Sequence, residues 1–479
     1  MISSVSRFVK NSGFNLIANL SNKISKSLLL ILISHTLGVS SMGQLSLALT
    51  YLGFGILLSN WGFGNMLIRQ IARDRNSTNK YLSHFAITRI ALVVITLLAL
   101  NIVIQFFNYS PETVLVIQII SINLFATTLV NLFYSILIAN ESLMELSIVY
   151  IVTSILRLLI CGIAIIHNGT IIQVAIIYTT IEFSVLLIST FIIRRHLINF
   201  KITFNLSFAL SQIVKAFPFL WIGALMMLDT RAETVIISYF FSEATVGYYS
   251  AVSTVLGGIT IFSEAIRNTI IPIASRYQLE DECKLTEVIH LLSKYLLIIT
   301  IPLTIAIFFL SDEIITFFFS ASYSSSITML KITIWSSISY SLTIILSGLL
   351  IAKDMEKKVA FSLFVSGALT IILDIILAPM IGVIGIAIIR TATSILQLGL
   401  LLWFSYTELK FGIISNKTAL FTSLSGLAMF STAYFLTPLS PWVSIVTSII
   451  VFILMLTALG VLRKEDKSLL VKLYKEFRK

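Results

Sequence analysis

The sequence predicts an all-α polytopic membrane protein of about fourteen transmembrane helices, with two parallel six-helix repeats around a central cleft and two extra C-terminal helices. Three observations predict it: the composition, the lengths of the apolar runs and an internal duplication. Apolar residues fill 57% of the 479 positions and charged residues only 11%, against about a quarter charged in soluble chains. Mean hydropathy is +0.99. No water-soluble core needs that much apolar side chain. Soluble enzymes, nucleic-acid binders and secreted disulfide scaffolds are excluded together. The formal charge of +11 is read by position in a membrane chain, not as affinity for nucleic acid. Cys161 lies in an apolar run and Cys283 beside acids in a loop, so neither a disulfide nor a metal cluster is expected.

A spanning helix needs about 20 mostly apolar residues. The first run, 11–36, follows a short N-terminus with no small-residue cleavage pattern and is expected to be retained, not removed as a signal peptide. Runs at 43–68, 84–107, 112–138, 146–167 and 171–193 complete a first set of six. The polar stretch 194–214 then separates them from runs at 215–240, 247–272, 291–311, 325–352, 358–379 and 382–405. It is expected as a cytoplasmic linker with room for a short amphipathic helix. Runs at 414–436 and 441–462 stand last. Membrane barrels would show alternating segments of about ten residues, and none appears. With the N-terminus inside, inner-side segments carry 25 of the 33 basic residues, among them Arg69, Arg73, Arg75, Lys80, Arg194, Arg195 and seven in the tail from Arg463 to Lys479. Outer loops hold at most Lys331. That bias is the positive-inside pattern of an even number of spans with both termini cytoplasmic. The expected division is a six-helix lobe at 1–200, a second at 201–410, two added helices at 411–462, and a basic cytoplasmic tail at 463–479 that contacts membrane lipids.

The duplication shows in two echoes. Gly38-Val-Ser-Ser-Met-Gly-Gln-Leu-Ser46 and Ser242-Glu-Ala-Thr-Val-Gly-Tyr-Tyr-Ser250 align Gly43 with Gly247, Ser46 with Ser250 and, further on, Ser59 with Ser263. Leu137-Ile-Ala-Asn140 and Leu350-Ile-Ala-Lys353 close the fourth and tenth runs. Six helices per repeat is even, so both halves insert in one direction. Parallel repeats of this kind are a transporter architecture.

The stretch Ala216-Phe-Pro-Phe-Leu220, Asp229-Thr-Arg-Ala-Glu-Thr234 and Val246-Gly-Tyr-Tyr-Ser-Ala251 resembles the middle of Wzx-type polysaccharide-biosynthesis flippases. Asn11-Ser-Gly-Phe-Asn-Leu16, Leu67-Ile-Arg-Gln-Ile-Ala-Arg73, Ile351-Ala-Lys-Asp354 and Gly382-Val-Ile-Gly-Ile-Ala387 extend the resemblance over roughly residues 5–410. It implies membership of the multidrug/oligosaccharidyl-lipid/polysaccharide exporter superfamily. It further implies a polyprenyl-pyrophosphate-linked oligosaccharide as substrate, flipped from the cytoplasmic to the outer leaflet of a bacterial inner membrane for O-antigen, capsule or exopolysaccharide synthesis. Polysaccharide polymerase machinery is then an implied partner. Where the family pattern often reads Arg-Ile-Asp-Thr, this chain has Arg231-Ala-Glu-Thr234, so the acid survives as glutamate.

An ionisable side chain inside the hydrocarbon costs at least about 2.5–3.5 kcal/mol on insertion scales. It must be paired or wet. Arg157 and Glu182 lie at equal depth on adjacent antiparallel runs and are expected to pair, as are Asp374 and Arg390. Glu264 and Arg267 are three apart on one face, and Arg89 is near enough to the inner surface to snorkel. Lys23 and Lys26 differ: they share one face of a run that contains no acid. They face a watery cleft or an acid on another helix. The offset of the repeats places Lys26 opposite Thr230, between Asp229 and Glu233, which share a face while Arg231 points elsewhere. Two outcomes stay open. One is a salt bridge between halves. The other is a cationic substrate site of Lys23, Lys26, Arg267 and Arg157 for pyrophosphate, beside a coupling pair, Asp229 and Glu233, for H⁺ or Na⁺.

There is no P-loop, Gly-rich nucleotide loop or metal-ligand spacing, so neither ATP hydrolysis nor a cofactor or metal is expected. The five histidines lie singly near run ends, where interfacial placement is expected, and the run Ser320–Ser326 is expected to cap an outer loop. The expected function is flipping of a lipid-linked oligosaccharide, with no enzymatic step. A cation-coupled small-molecule or multidrug exporter of the same superfamily is the alternative, and it would favour acids over bases in the cleft. A glycan polymerase or ligase would need a substantial outer loop, and the longest here covers only about residues 312–324.

Overall fold

In a computed structural model of the chain, the backbone is described for residues 2–74, 78–140, 142, 144–196, 203–280, 282–409 and 414–462. The side chains of 2–12, 16, 65, 72, 196, 262, 264–285 and 409 fall outside the described ones, and with them those of Glu264 and Arg267; the 463–479 tail lies outside altogether. All described elements are helices. They form two compact units, 1–250 and 251–479.

The first unit holds α1 (Ile2–Thr36), α2 (Gly38–Asn60), α3 (Phe63–Arg73), α4 (Thr78–Ile104), α5 (Pro111–Ser121), α6 (Asn123–Ala139), α7 (Met144–Ile166), α8 (Ile171–His196) and α9 (Leu206–Phe240), and the start of α10 (Glu243–Glu280). Helix α1 packs along α7, with Ser25 Oγ donating to Ser154 O at 2.5 Å. Two positive-φ residues, Trp61 (φ 47°) and Gly62 (φ 73°), end α2 and start α3. Gly62 is required there: a Cβ would stand 2.6 Å from Phe219 Cβ and 2.9 Å from Leu220 N, so only glycine lets α9 pass this close. Helix α5 begins on an N-cap, Ser110 accepting from Thr113 N, with Pro111 in the first turn, where its missing N–H is no loss.

The second unit continues α10 and adds α11 (Glu282–Phe309), α12 (Ser311–Phe319), α13 (Ser325–Thr333), α14 (Ser336–Ala352), α15 (Glu356–Ile381), α16 (Val383–Leu409), α17 (Asn416–Leu436) and α18 (Pro441–Ala458). A 3₁₀ turn at Ala321–Tyr323 follows Ser320, itself at φ 82°, within the expected polar cap. Helices α17 and α18 pack against each other and against α11, around Met429, Ala433 and Phe452. Asp374 of α15 is fully buried where α15 and α16 pack side by side.

Twelve helices among the described residues are long and apolar enough to span a membrane, or thirteen with α13 and α14 counted as one span bent by 42°. The remaining expected span, 247–272, falls on α10. The protein is thus a multi-pass helical membrane protein. Three local expectations are corrected. The tenth run is two helices bent by 42° at Ile334-Trp335, and the fourth, though one span, is interrupted for a single residue at Ile122. The linker is shorter than 194–214, because α9 begins at Leu206 under an Asn205 N-cap that accepts from Phe208 N at 3.0 Å. His84, near the start of α4, is buried and not at the protein surface, with Nδ1 2.6 Å from Lys80 O and Nε2 accepting from Asn205 N at 3.0 Å. With Ser83 Oγ bonded at 2.7 Å to both N and O of Thr203, it staples the start of α9 to α4.

The duplication is visible atom by atom. Helices α6 and α14 are both 17 residues long, and residues 123–139 map onto 336–352. Each ends in the same turn, Ser142 N donating to Leu137 O at 2.9 Å and Met355 N to Leu350 O at 2.8 Å. Inside each unit one hydroxyl pair recurs: Ser59 with Thr128 at 2.9 Å, and Ser263 with Ser341 at 2.8 Å. Ser59 and Ser263 are the residues aligned by the sequence repeat.

The expected orientation rests on the charge bias. Reporter fusions at 75–77, 197–202 and 354 are expected to report the cytoplasm. An external signal from 197–202 would reverse the orientation of the first unit.

Candidate functional site

Mid-span polar groups of the first unit gather on α1, α7 and α8. Arg157 of α7 is 3% exposed and forms an ion pair with Glu182 of α8. Its second terminal nitrogen donates to Asn22 Oδ1 of α1 at 3.2 Å, and its guanidinium stacks 4.4 Å over the buried Tyr178 ring. The expected Arg157–Glu182 pair is therefore present, and it reaches α1 through Asn22, the residue before Lys23. A planar guanidinium with several fixed donors can make these contacts at once; an ammonium cannot.

Lys23 and Lys26 are both half-buried on α1. Lys23 interacts with a neighbouring group. Among the described residues, Lys26 makes no hydrogen bond or ion pair. A lone ammonium at this depth needs water or an anionic ligand.

The acids lie on α9. Asp229 is half-buried and interacts with a neighbour. Glu233 is 5% exposed, and the Tyr249 hydroxyl of α10 donates to its carboxylate. Arg231 is exposed, away from the acids as its helical position requires. The first turns of α10 are brought here by a reciprocal glycine contact. A Cβ on Gly43 would fall on the Glu243 carbonyl oxygen, and one on Gly247 on the Val39 carbonyl oxygen. Val39 and Glu243 are themselves equivalent in the repeat. The crossing of α2 and α10 is therefore backbone on backbone, possible only with small residues at both points.

At the expected outer end, Glu243 accepts from Ser110 N at 3.0 Å, from Ser110 Oγ at 2.9 Å and from Gln44 Nε2 at 3.4 Å. Burial pushes this carboxyl up, but hydrogen bonds from Thr113, Ser110 and Gln44 outweigh it and hold it below the ordinary carboxylate range. Its contribution to stability is present above the unfolded value and is lost as pH falls through the lowered one. Beside it, Tyr109 joins Ser238 at 2.7 Å and Tyr51 at 3.0 Å, and burial raises the Tyr109 phenol.

The structure thus brings together Arg157 and Glu182 with Asn22 of α1, and Glu233 with Tyr249. Arg267 lies outside the described side chains. Asn22, Tyr178 and Tyr249 are absent from the sequence expectations. Asn22 adjoins Lys23 and Tyr249 lies within the quoted Gly-Tyr-Tyr motif, but nothing in spacing alone gives their partners. Arg89 does not snorkel. It is fully buried, and Nη1 donates to Thr128 O at 3.1 Å.

A multi-pass, repeat-built bundle with charges held in mid-membrane defines a polytopic membrane protein of transporter architecture. The chain belongs to the polysaccharide biosynthesis protein family, whose model matches residues 32–328. A 163-residue stretch is 28% identical to the probable low-salt glycan biosynthesis flippase Agl15 of Haloferax volcanii, covering 34% of each chain. The match thus spans about a third of that relative's length. Among solved structures, the lipid II flippase MurJ in an inward closed conformation superposes with TM-score 0.75 at 19% identity, covering 92% of this chain and 97% of that one. An inward-facing multidrug resistance MATE family transporter of the MOP superfamily gives 0.66 at 16% identity, covering 82% and 99%. At these identities the likeness is one of fold, and it agrees with the superfamily that the sequence motifs imply.

Proposed function

We propose that the protein flips a polyprenyl-pyrophosphate-linked oligosaccharide from the cytoplasmic to the outer leaflet of a bacterial inner membrane, by alternating access and without an enzymatic step. The observation that carries this is Lys26: a mid-span ammonium with no hydrogen bond or ion pair among the described residues, one helical turn from Lys23. A pyrophosphate carries two or more negative charges and cannot cross hydrocarbon bare. Lys26 and Lys23 replace part of its hydration, with Arg267 as a further proposed contact, while the polyprenyl tail stays in lipid. Arg157 serves this site as the anchor that fixes Asn22, and so the turn of α1 carrying Lys23. Asp229 and Glu233 are the proposed coupling acids, and the Tyr249 hydroxyl holds the Glu233 carboxylate in place by donating to it. The family and the names of the similar flippases support the lipid-linked cargo. Transfer to a polymerase on the outer face completes the proposed role in O-antigen or capsule synthesis.

In cells lacking the protein, lipid-linked repeat units are expected to accumulate in the inner leaflet. Lys26→Glu should fail to relieve that accumulation, Lys26→Gln should relieve it in part, and Lys26→Arg most fully. Full relief by the Lys23→Gln, Lys26→Gln double variant would overturn the cationic site. If double charge reversal of Lys23 and Asp229 restores what each single reversal destroys, those two residues form a latch instead of a substrate site.

A further inference from the structure

Outside these residues, the first unit contains a polar cavity. It has a volume of about 350 Å³ and lies among α2, α3, α4, α6 and α9. Its polar lining consists of Arg89, Asn60, Asn131, Tyr134 and Ser135. None of the cavity's lining residues is acidic.

Arg89 is the reason to look here. The residue is fully buried, yet of the five N–H donors of a guanidinium it uses one, Nη1 to Thr128 O at 3.1 Å. Nε has no partner. Among the described residues no carboxylate stands within ion-pair distance of it. On the opposite wall, Gly64 leaves space in front of the guanidinium: a Cβ there would stand 4.0 Å from Nη2 and 3.3 Å from Ser135 Oγ. The break of α2 and α3 at Trp61 and Gly62 opens this side, and Trp61 is tied down by Nε1 donating to Ile213 O at 3.2 Å. The carboxamide N–H groups of Asn60 and Asn131 supply further donors around the same space, while the Ser135 hydroxyl is spent on Asn131 O at 2.9 Å. A buried positive charge without a counter-charge is strongly unfavourable, and a cavity with a donor-rich polar lining and no acid offers an anion the missing half.

We propose that this cavity binds a phosphate-type oxyanion, held by the planar fork of Arg89. The fork matches two oxygens of a tetrahedral phosphate in parallel, through Nε and Nη2. The phosphate comes from a membrane lipid headgroup or from free inorganic phosphate. The site is separate from the α1 ammonium groups and does not rest on the flippase reading.

The test uses full-length protein purified without phosphate. Binding of inorganic [³²P]phosphate is measured in detergent, and retention of phosphatidylglycerol is followed by native mass spectrometry after release from nanodiscs. Wild type is expected to bind one phosphate or to retain one phosphatidylglycerol. Arg89→Gln should weaken this by about tenfold or more, the size expected for losing a charge-assisted pair. Arg89→Lys should keep part of it. Gly64→Val keeps the charge but fills the space, and should lower binding similarly even if Arg89→Gln folds poorly. In the Lys23→Gln, Lys26→Gln background the Arg89→Gln and Gly64→Val losses should persist, which separates this site from the flippase site. Phosphate binding would identify a free-ion site, and lipid retention alone a headgroup site; either supports the proposal when it depends on Arg89. Equal binding by wild type and Gly64→Val, or no binding of either probe, would overturn it.

Discussion

Arg157→Leu alone is expected to destabilise the protein by about 3–5 kcal/mol, the cost of leaving one member of a buried ion pair without the other. Glu182→Leu alone should do much the same. Removing Arg157 strands the Glu182 carboxylate, frees Asn22 and leaves the Tyr178 ring without its cation. The double Leu variant should recover most of the loss, since a buried pair replaced by apolar side chains of similar volume is often neutral. Melting of detergent-solubilised variants checks both statements. Transport separates them further. If Arg157 positions α1 through Asn22, the stable double variant should still accumulate substrate in the inner leaflet. A double variant that is stable and fully active would reduce the pair to packing.

Gly43→Ala and Gly247→Ala are the second pair of large effects. In each case the new methyl group falls on a carbonyl oxygen of the opposing helix. Backbone cannot rotate aside as a side chain does, so α2 and α10 must separate. The cost is expected at or above the upper end of the about 1–3 kcal/mol usual for overpacking. Both variants should lose monodisperse protein on size exclusion and melt earlier. Gly13→Ala, at a position with open space around it, is the control. A Gly43→Ala protein that melts as wild type does would refute the close crossing.

The helices were legible because each span must satisfy its backbone internally, which forces long apolar runs. The repeat was legible because Gly43 and Gly247 are held by backbone contact and cannot drift. Arg157 and Glu182 were legible as a pair because equal depth on adjacent helices leaves few other partners. The breaks inside the fourth and tenth runs were not. Neither Ile122 nor Ile334-Trp335 carries proline or glycine; instead Ser336 and Ser337 turn their hydroxyls onto the carbonyls of Thr333 and Ile334 at 2.7 Å. Such competition reads in sequence as ordinary helix. Arg89 was misplaced for a related reason: depth along a helix says how far a side chain must reach, but not whether it turns toward lipid or inward. The partnership of Tyr249 with Glu233 depends on a helix crossing, and sequence spacing within one helix carries no record of it.

The paired hydroxyls, Ser59 with Thr128 and Ser263 with Ser341, give the molecule its own internal control. An interhelical hydroxyl bond in a membrane protein contributes about 0.6 kcal/mol on average, too little for either bond to be decisive alone. Removing each in turn, however, deletes the same bond twice from one polypeptide, in the same lipid and at the same expression level. Whatever is common to the two deletions belongs to the ancestral helix bundle. Whatever differs between them is a measure of how far the two halves have since been tuned to unequal tasks.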